Sequence, residues 1–296
     1  MNFLQRLFSQ PKPEPGPSQH LRNGADRAEQ TLSTMSHLPP GLHVGKLSDI
    51  GQVREQNEDS LFTVQIVLQH NEGQEPFGLF IVADGMGGHQ KGEIASALAA
   101  RTAAARILQD IYLAELNHTQ GVIARPVNEV LIEAVEQANT EVQKVAPDGG
   151  TTLTIAVVMG KSTYIAHVGD SRVYWLNQGT LKQVTKDHSL VQRLVELGQE
   201  TPEGALVHPQ RNVLYRAIGQ GTSLEVDTYF QPLVPGSSLL LCSDGLWGPV
   251  KNDSLREIMN NAATPQQACE QLITMANKNG GEDNITAIVV SMGLES

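Results

Sequence analysis

Four widely spaced groups of acidic residues in this 296-residue chain stand at the ends of apolar runs. Arg54 precedes Asn57-Glu58-Asp59, and Phe80-Ile81-Val82-Ala83 leads into Asp84-Gly85-Met86-Gly87-Gly88. Leu239-Leu240-Leu241-Cys242 leads through Ser243 to Asp244-Gly245, and Glu282-Asp283-Asn284 opens onto Ile285-Thr286-Ala287-Ile288-Val289-Val290. A carboxylate at the end of a buried strand is costly unless positive charge compensates it. Several converging at one point therefore imply bound cations. Carboxylate and carbonyl oxygens are hard ligands, suited to magnesium, manganese or calcium. Zinc has no pattern here, because Cys242 and Cys269 are far apart and lack paired histidines. A calcium loop would hold its acids within about a dozen residues; here the fold has to gather them.

Strands are needed to carry these acids. β-Branched and apolar runs predict strands near Phe77 to Ala83, Thr151 to Met159, Thr163 to Val168, Val173 to Leu176, Ser237 to Cys242 and Ile285 to Ser291. Turn signals at Gly169-Asp170 and Asn177-Gln178-Gly179 point to an antiparallel meander. Helical periodicity covers Gly92 to Leu116, Val127 to Val145 and Pro265 to Asn277. Hairpin-linked strands with separate helix pairs predict an α+β architecture: a four-layer α-β-β-α sandwich of two mainly antiparallel sheets, packed face to face and flanked by helices.

Composition narrows the function. With 21 basic and 32 acidic side chains the net charge is −11, which argues against a nucleic-acid partner. No apolar run reaches the roughly 18 residues of a spanning helix. Two cysteines without a pairing pattern, and no signal-peptide pattern, fit a reducing cytoplasm. Residues 1–40, with Pro11, Pro13, Pro15 and Pro17 ahead of a polar stretch to Pro39-Pro40, read as a disordered Pro-rich arm. Phe3, Leu4, Leu7 and Phe8 lie on too short a segment to hold a helix alone. The folded domain is expected over 41–296.

Together the motifs carry a resemblance. From about Gly45 to Met292 the chain resembles the metal-dependent Ser/Thr protein phosphatases of the PPM, or type-2C, family. The matching segments stand in family order: Gly51 through Arg54 to Asp59, Val82 to Gly88, Gly150-Thr151-Thr152, Val168-Gly169-Asp170-Ser171-Arg172, Asp187-His188-Ser189, His208-Pro209 through Gly219, Ser243 to Trp247, and Asp283 to Thr286. Met86 resembles the bacterial branch. The resemblance implies two Mg²⁺ or Mn²⁺ ions, with Asp84 bridging them, the Gly85 carbonyl on one and Asp244 and Asp283 on the other. It further implies that Asp59 and Glu58 hold metal-bound water, that Arg54 grips the phosphate, and that a water activated between the ions is the nucleophile. The partners implied are phosphorylated proteins, targets of Ser/Thr kinases, met by a monomer.

Each group also has a plain structural reading. Asp84-Gly85, Gly169-Asp170 and Asp244-Gly245 are all competent turn dipeptides. For Gly169-Asp170-Ser171-Arg172 the structural reading is kept, with Arg172 pairing locally. Asp187 is expected to cap a helix near His188, with Ser189 assisting, and Cys242 to be a core residue. Three positions depart from the family pattern. Met86 replaces a histidine proposed as general acid in many eukaryotic relatives, and His89 is not assigned that task. Gly248 replaces an aspartate of a third-metal site. Asp148, the other third-metal ligand, lies one residue closer to Gly150-Thr151 than usual. The flap, Leu194 to Ala217, carries Arg211 and Arg216 toward a substrate's acidic surroundings. Two further readings remain: a silent pseudophosphatase that binds phosphoproteins or a kinase, and a calcium-binding structural domain in which Arg54 would have no purpose.

Overall fold

A computed structural model of the chain describes residues 35, 38–70, 73–87, 90–117, 125–221 and 224–294. The Pro-rich stretch, the Phe3 to Phe8 segment and His89 lie outside these residues. Met35 is buried beside Tyr174, Leu240 and Val289, and Leu38 packs against the same cluster. The described chain thus meets the core ahead of the first strand.

Among the described residues, eleven strands build two antiparallel sheets. One has the order β1 (Gly41–Asp49), β11 (Ile285–Gly293), β10 (Ser238–Cys242), β7 (Arg172–Asn177) and β8 (Thr180–Gln183). The other has the order β2 (Asp59–His70), β3 (Gly73–Met86), β5 (Leu153–Met159), β6 (Ser162–Val168) and β9 (Asp227–Pro232), with the short β4 (Gly150–Thr151) added beside β3. Strands β5, β10 and β11 are apolar almost throughout because both faces of each are covered. Between the sheets, Phe80, Val82, Ala156 and Ile165 meet Val173, Leu239, Leu241, Ile288 and Val290.

Helices cover both outer faces. On the β3 side, α1 (Lys91–Ile107) runs through a π-helical turn at Leu108–Leu113 into α2 (Ala114–Leu116) and packs against α3 (Val127–Val145). Alanines at 95, 99, 103 and 104 let α1 lie close on the sheet. On the β10 side, α7 (Asn252–Asn261) and α8 (Pro265–Lys278) bury Leu255, Met259, Leu272 and Ile273. Thr264 starts α8 by accepting the Gln267 N–H, with Pro265 at the first helical position. The expected four-layer sandwich is the observed architecture. No helix among the described residues is long and apolar enough to cross a membrane.

The meander is interrupted. β5–β6 and β7–β8 are hairpins, the latter closing through Gln178 and Gly179, both at positive φ. At Gly169-Asp170-Ser171, however, the chain leaves one sheet and enters the other. Gly169 has φ +112, and Asp170 and Ser171 are buried. Their carboxyl and hydroxyl point into the molecule's polar end, so the dipeptide is a crossing point rather than a surface turn.

Candidate active site

Register places the first two acids. Asp59 opens β2 directly opposite Asp84 on β3, and Gly85 and Met86 pair with Thr151 and Gly150. The backbone of Asp84 is then tied on both sides. Its N–H donates to the Thr152 hydroxyl (2.9 Å), and its carbonyl accepts from the Thr151 hydroxyl and the Thr152 N–H (each 2.9 Å). Gly85 is held between strand and helix: its N–H donates to the Glu58 carbonyl, and a Cβ there would meet Gly92 O at 2.3 Å. Any side chain at 85 would force α1 off the sheet.

The other sheet brings the rest. β10 ends at Cys242, Ser243 follows, and Asp244 begins the short α6 (Asp244–Trp247). The Ser243 hydroxyl donates to Asp59 Oδ2 (2.8 Å) and accepts the Thr286 N–H (3.0 Å), joining the two sheets at one polar contact. Asp283 precedes β11 and accepts from Arg54 Nη2 at 2.6 Å. Asn284 braces the loop that carries Arg54: its Oδ1 accepts the Glu58 N–H, and its Nδ2 donates to the Ile50 and Gln56 carbonyls.

The resulting charge is concentrated and poorly compensated. Burial, and then Asp59, Asp244, Asp170 and Asp283, push the Asp84 carboxyl well above the usual carboxylate range. Burial also drives Asp59 up to about 7, against hydrogen bonds from Thr286 and Ser243. Burial and then Asp283 bring Asp244 to about 6, although a hydrogen bond with Asp84 and the charge of Arg54 oppose the rise. Burial, followed by Asp283 and Glu93, outweighs Arg54 and raises Glu58. Asp59 Oδ1 is buried with no hydrogen-bond partner. Among the described residues no three such side chains are already placed as a finished cage, and Asp283 is tied to Arg54. A hard divalent cation suits this donor set: oxygen-only ligands, a surplus of negative charge and an orphaned buried oxygen.

Most residues singled out in the sequence are brought together: Arg54, Glu58, Asp59, Asp84, Gly85, Asp244 and Asp283 share this end of the two sheets. Asp148 stands apart. Its side chain is 76% exposed and pairs with Lys91 Nζ at 2.5 Å, whose hydrogen bond and charge hold its carboxyl below the usual range. Asp170 is an addition to the cluster. It is buried, and burial followed by Asp244 and Asp187 pushes its carboxyl up, against Arg172. The signal was present in the sequence, since Tyr164 to Val168 ends in Gly169-Asp170 as the other apolar runs end in their acids.

Behind Asp244 a second network fixes the wall of the site. Arg172 donates to both Asp187 oxygens, at 2.7 to 3.1 Å, and to the Tyr174 hydroxyl, and its guanidinium lies 3.5 Å from the centre of the Trp247 ring. Trp247 Nε1 donates to the Asp170 carbonyl (2.9 Å). Asp187 is therefore no helix cap. Ser189 alone caps α4 (Leu190–Glu196), by accepting the Gln192 N–H. Arg216 is likewise committed within the protein, to Asp227 and Glu225 beside His188. Cys242 is buried, which pushes its thiol far up and leaves it inert.

The sequence profile of the protein phosphatase 2C family matches residues 54–288. A serine/threonine phosphatase named stp from Listeria monocytogenes is 37% identical over 253 residues, spanning 86% of this chain and 97% of the other. Among solved structures, the S. agalactiae serine/threonine phosphatase superposes with a TM-score of 0.71 at 32% identity, over 85% of this chain and 100% of that one. The catalytic domain of the serine/threonine protein phosphatase PstP in complex with two manganese ions gives 0.66 at 32% identity, over 86% and 99%. The acids gathered at the sheet ends lie within the stretch these relatives share, and the chain belongs to the protein phosphatase 2C family, in its bacterial branch.

Proposed function

We propose that the protein hydrolyses phosphoserine and phosphothreonine on proteins phosphorylated by Ser/Thr kinases, using two Mg²⁺ or Mn²⁺ ions. The observation that supports the reading is that Asp59, Asp84, Asp244 and Asp283 come from both sheets to one acidic end of the molecule, close enough to raise one another's carboxyls, beside Arg54. Asp84, Asp244, Asp283 and the Gly85 carbonyl would hold the ions. Bound divalent ions supply an activated water as nucleophile and neutralise charge on the phosphoryl oxygens. Asp59 and Glu58 would orient water from the outer layer. Arg54 has a planar fork suited to a phosphate dianion and reaches it by exchanging Asp283 for the substrate. No protein nucleophile is required, in keeping with the inert Cys242. The silent pseudophosphatase has no support, because the sequence keeps every core carboxylate. A cytoplasmic monomer is part of the reading; the two cysteines, both free and buried, fit a reducing setting.

Asp148 would contribute to a third ion only by giving up Lys91. Exchanging Lys91 for Met is expected to tighten a third Mn²⁺ severalfold, in line with the small worth of exposed ion pairs, as read by calorimetric titration. Hydrolysis of a phosphothreonine peptide with Mn²⁺, with EDTA and by Asp244→Ala tests the main reading. Phosphate release is expected only from the metal-loaded wild type. Equal release by the Asp244→Ala variant would remove the metal assignment.

A further inference from the structure

A cleft of about 610 Å³ opens directly from Asp244 and Asp283. Its volume falls in the usual range for a ligand site. One wall is Trp247, one turn beyond Asp244 and locked from behind by Arg172 and by its own bond to the Asp170 carbonyl. The other wall is made by α4, which leads into the flap, and by α5 (Pro202–Val207) within it; they present Val191, Val195, Pro202 and Ala205. None of these apolar groups helps to hold a cation or a phosphate. They line the cleft among polar groups such as Gln183, Gln192 and Asn212, beside the carboxylates where the phosphate would sit.

The rim is charged in a complementary way. Arg211, on the flap side, is exposed and makes no ion pair among the described residues; Glu282 stands on the rim beside Asp283. Arg211 is suited to the negative charge that the phosphate itself brings to the cleft, while the apolar side chains on its walls are suited to one uncharged side chain of the peptide. Covering apolar walls of this size discriminates between flanking residues by roughly 10-fold or more.

We infer that this cleft is a specificity subsite for an apolar residue flanking the phosphorylated Ser or Thr, with Val191, Val195 and Trp247 as its determinants. The inference rests on the phosphatase reading above. Chain direction through the cleft is set by which flank carries the apolar residue.

The test uses the full-length protein with Mn²⁺ and compares kcat/KM for phosphothreonine peptides with kcat/KM for p-nitrophenyl phosphate, which has no flanking residues. In the peptides, Leu, Lys or Asp is placed in turn on each side of the phosphothreonine. On one side, replacing Leu by Lys or Asp is expected to lower the peptide-to-aryl-phosphate ratio by about tenfold or more. In Val195→Glu the preference for Leu should disappear, and with a Lys peptide it should invert. Hydrolysis of both substrates with a flat response across the series overturns the subsite, as does an unchanged Leu preference in Val195→Glu. Failure to hydrolyse p-nitrophenyl phosphate as well as the peptides overturns instead the reading on which the subsite rests.

Discussion

Arg54 is held at 2.6 Å by Asp283, one of the carboxylates that would bind a cation, so a single residue faces two competing partners. Burial alone would weaken its charge, but the hydrogen bond and charge of Asp283 more than offset that and raise its pKa. A dication on Asp283 would release the guanidinium toward substrate, coupling metal loading to phosphate binding. Arg54→Ala is expected to lower kcat/KM for a phosphopeptide by about 10- to 100-fold, the worth of one charge-assisted bond. Arg54→Lys should recover little, because an ammonium cannot form the bidentate fork. Steady-state kinetics at saturating Mn²⁺ check both, and wild-type kcat/KM in the Ala variant would show that Arg54 does not touch phosphate. These acids were legible in the sequence because each ends an apolar run. The partners that orient them were not. Asn284 and Ser243 act across 226 and 184 residues of chain, on Glu58 and Asp59, and such bonds exist only once the two sheets are stacked.

Elements differ in how plainly they announce themselves. α3 was predicted at its observed limits, because its apolar stripe has one period throughout. β1 and β2 were missed. β1 carries Gly41, Gly45 and Lys46 and is fixed by nine paired residues along β11 rather than by its own composition. β2 mixes Thr, Gln and Ser with its apolar residues, as a strand at the sheet edge can. In the sequence Asp187 reads as a cap because Asp before a helix usually is one; its side chain instead neutralises Arg172 across the sheet edge. Arg172→Met would leave Asp187 buried without its cation and should cost about 3–5 kcal/mol in urea unfolding. Adding Asp187→Asn should recover part of the loss, and additive losses would mean the pair is not the source. His167, on β6, gives an acid-side signature. Its Nδ1 accepts from the Thr154 hydroxyl and its Nε2–H donates to the Lys186 carbonyl, so the ring is full as the neutral tautomer. Burial, then His188, lowers its pKa to about 3. The unfolded chain takes up a proton near pH 6.5 that the folded protein refuses. The contribution is therefore complete above pH 6.5 and is lost as pH falls toward 3, by up to about 1.4 kcal/mol per pH unit. His167→Asn should show a shallower loss of stability across that window; an unchanged slope would remove the assignment.

At the scale of the molecule, the acidic centre is where two sheets with separate helical covers meet a shared electrostatic problem. Asp59 and Asp84 belong to one sheet, Asp244 and Asp283 flank strands β10 and β11 of the other, and apart from Ser243 most contacts between the sheets are apolar. Like charges facing one another push these sheet ends apart unless cations intervene, so metal binding should stabilise the whole fold rather than one loop. At a metal concentration a hundred times its dissociation constant, one ion adds about 2.7 kcal/mol. For a chain of this size that corresponds to a rise in Tm of roughly 5–10 °C. Scanning calorimetry in Mn²⁺ and in EDTA measures it. Asp84→Asn should behave in the opposite sense in the two buffers. Without metal it relieves the most crowded of the buried carboxyls and should melt a few degrees above wild type, whereas in Mn²⁺ it should lose most of the metal-dependent gain. A variant that melts below wild type in both buffers would mean that the carboxylates are held by protein contacts alone, and that cations do not join the two sheets.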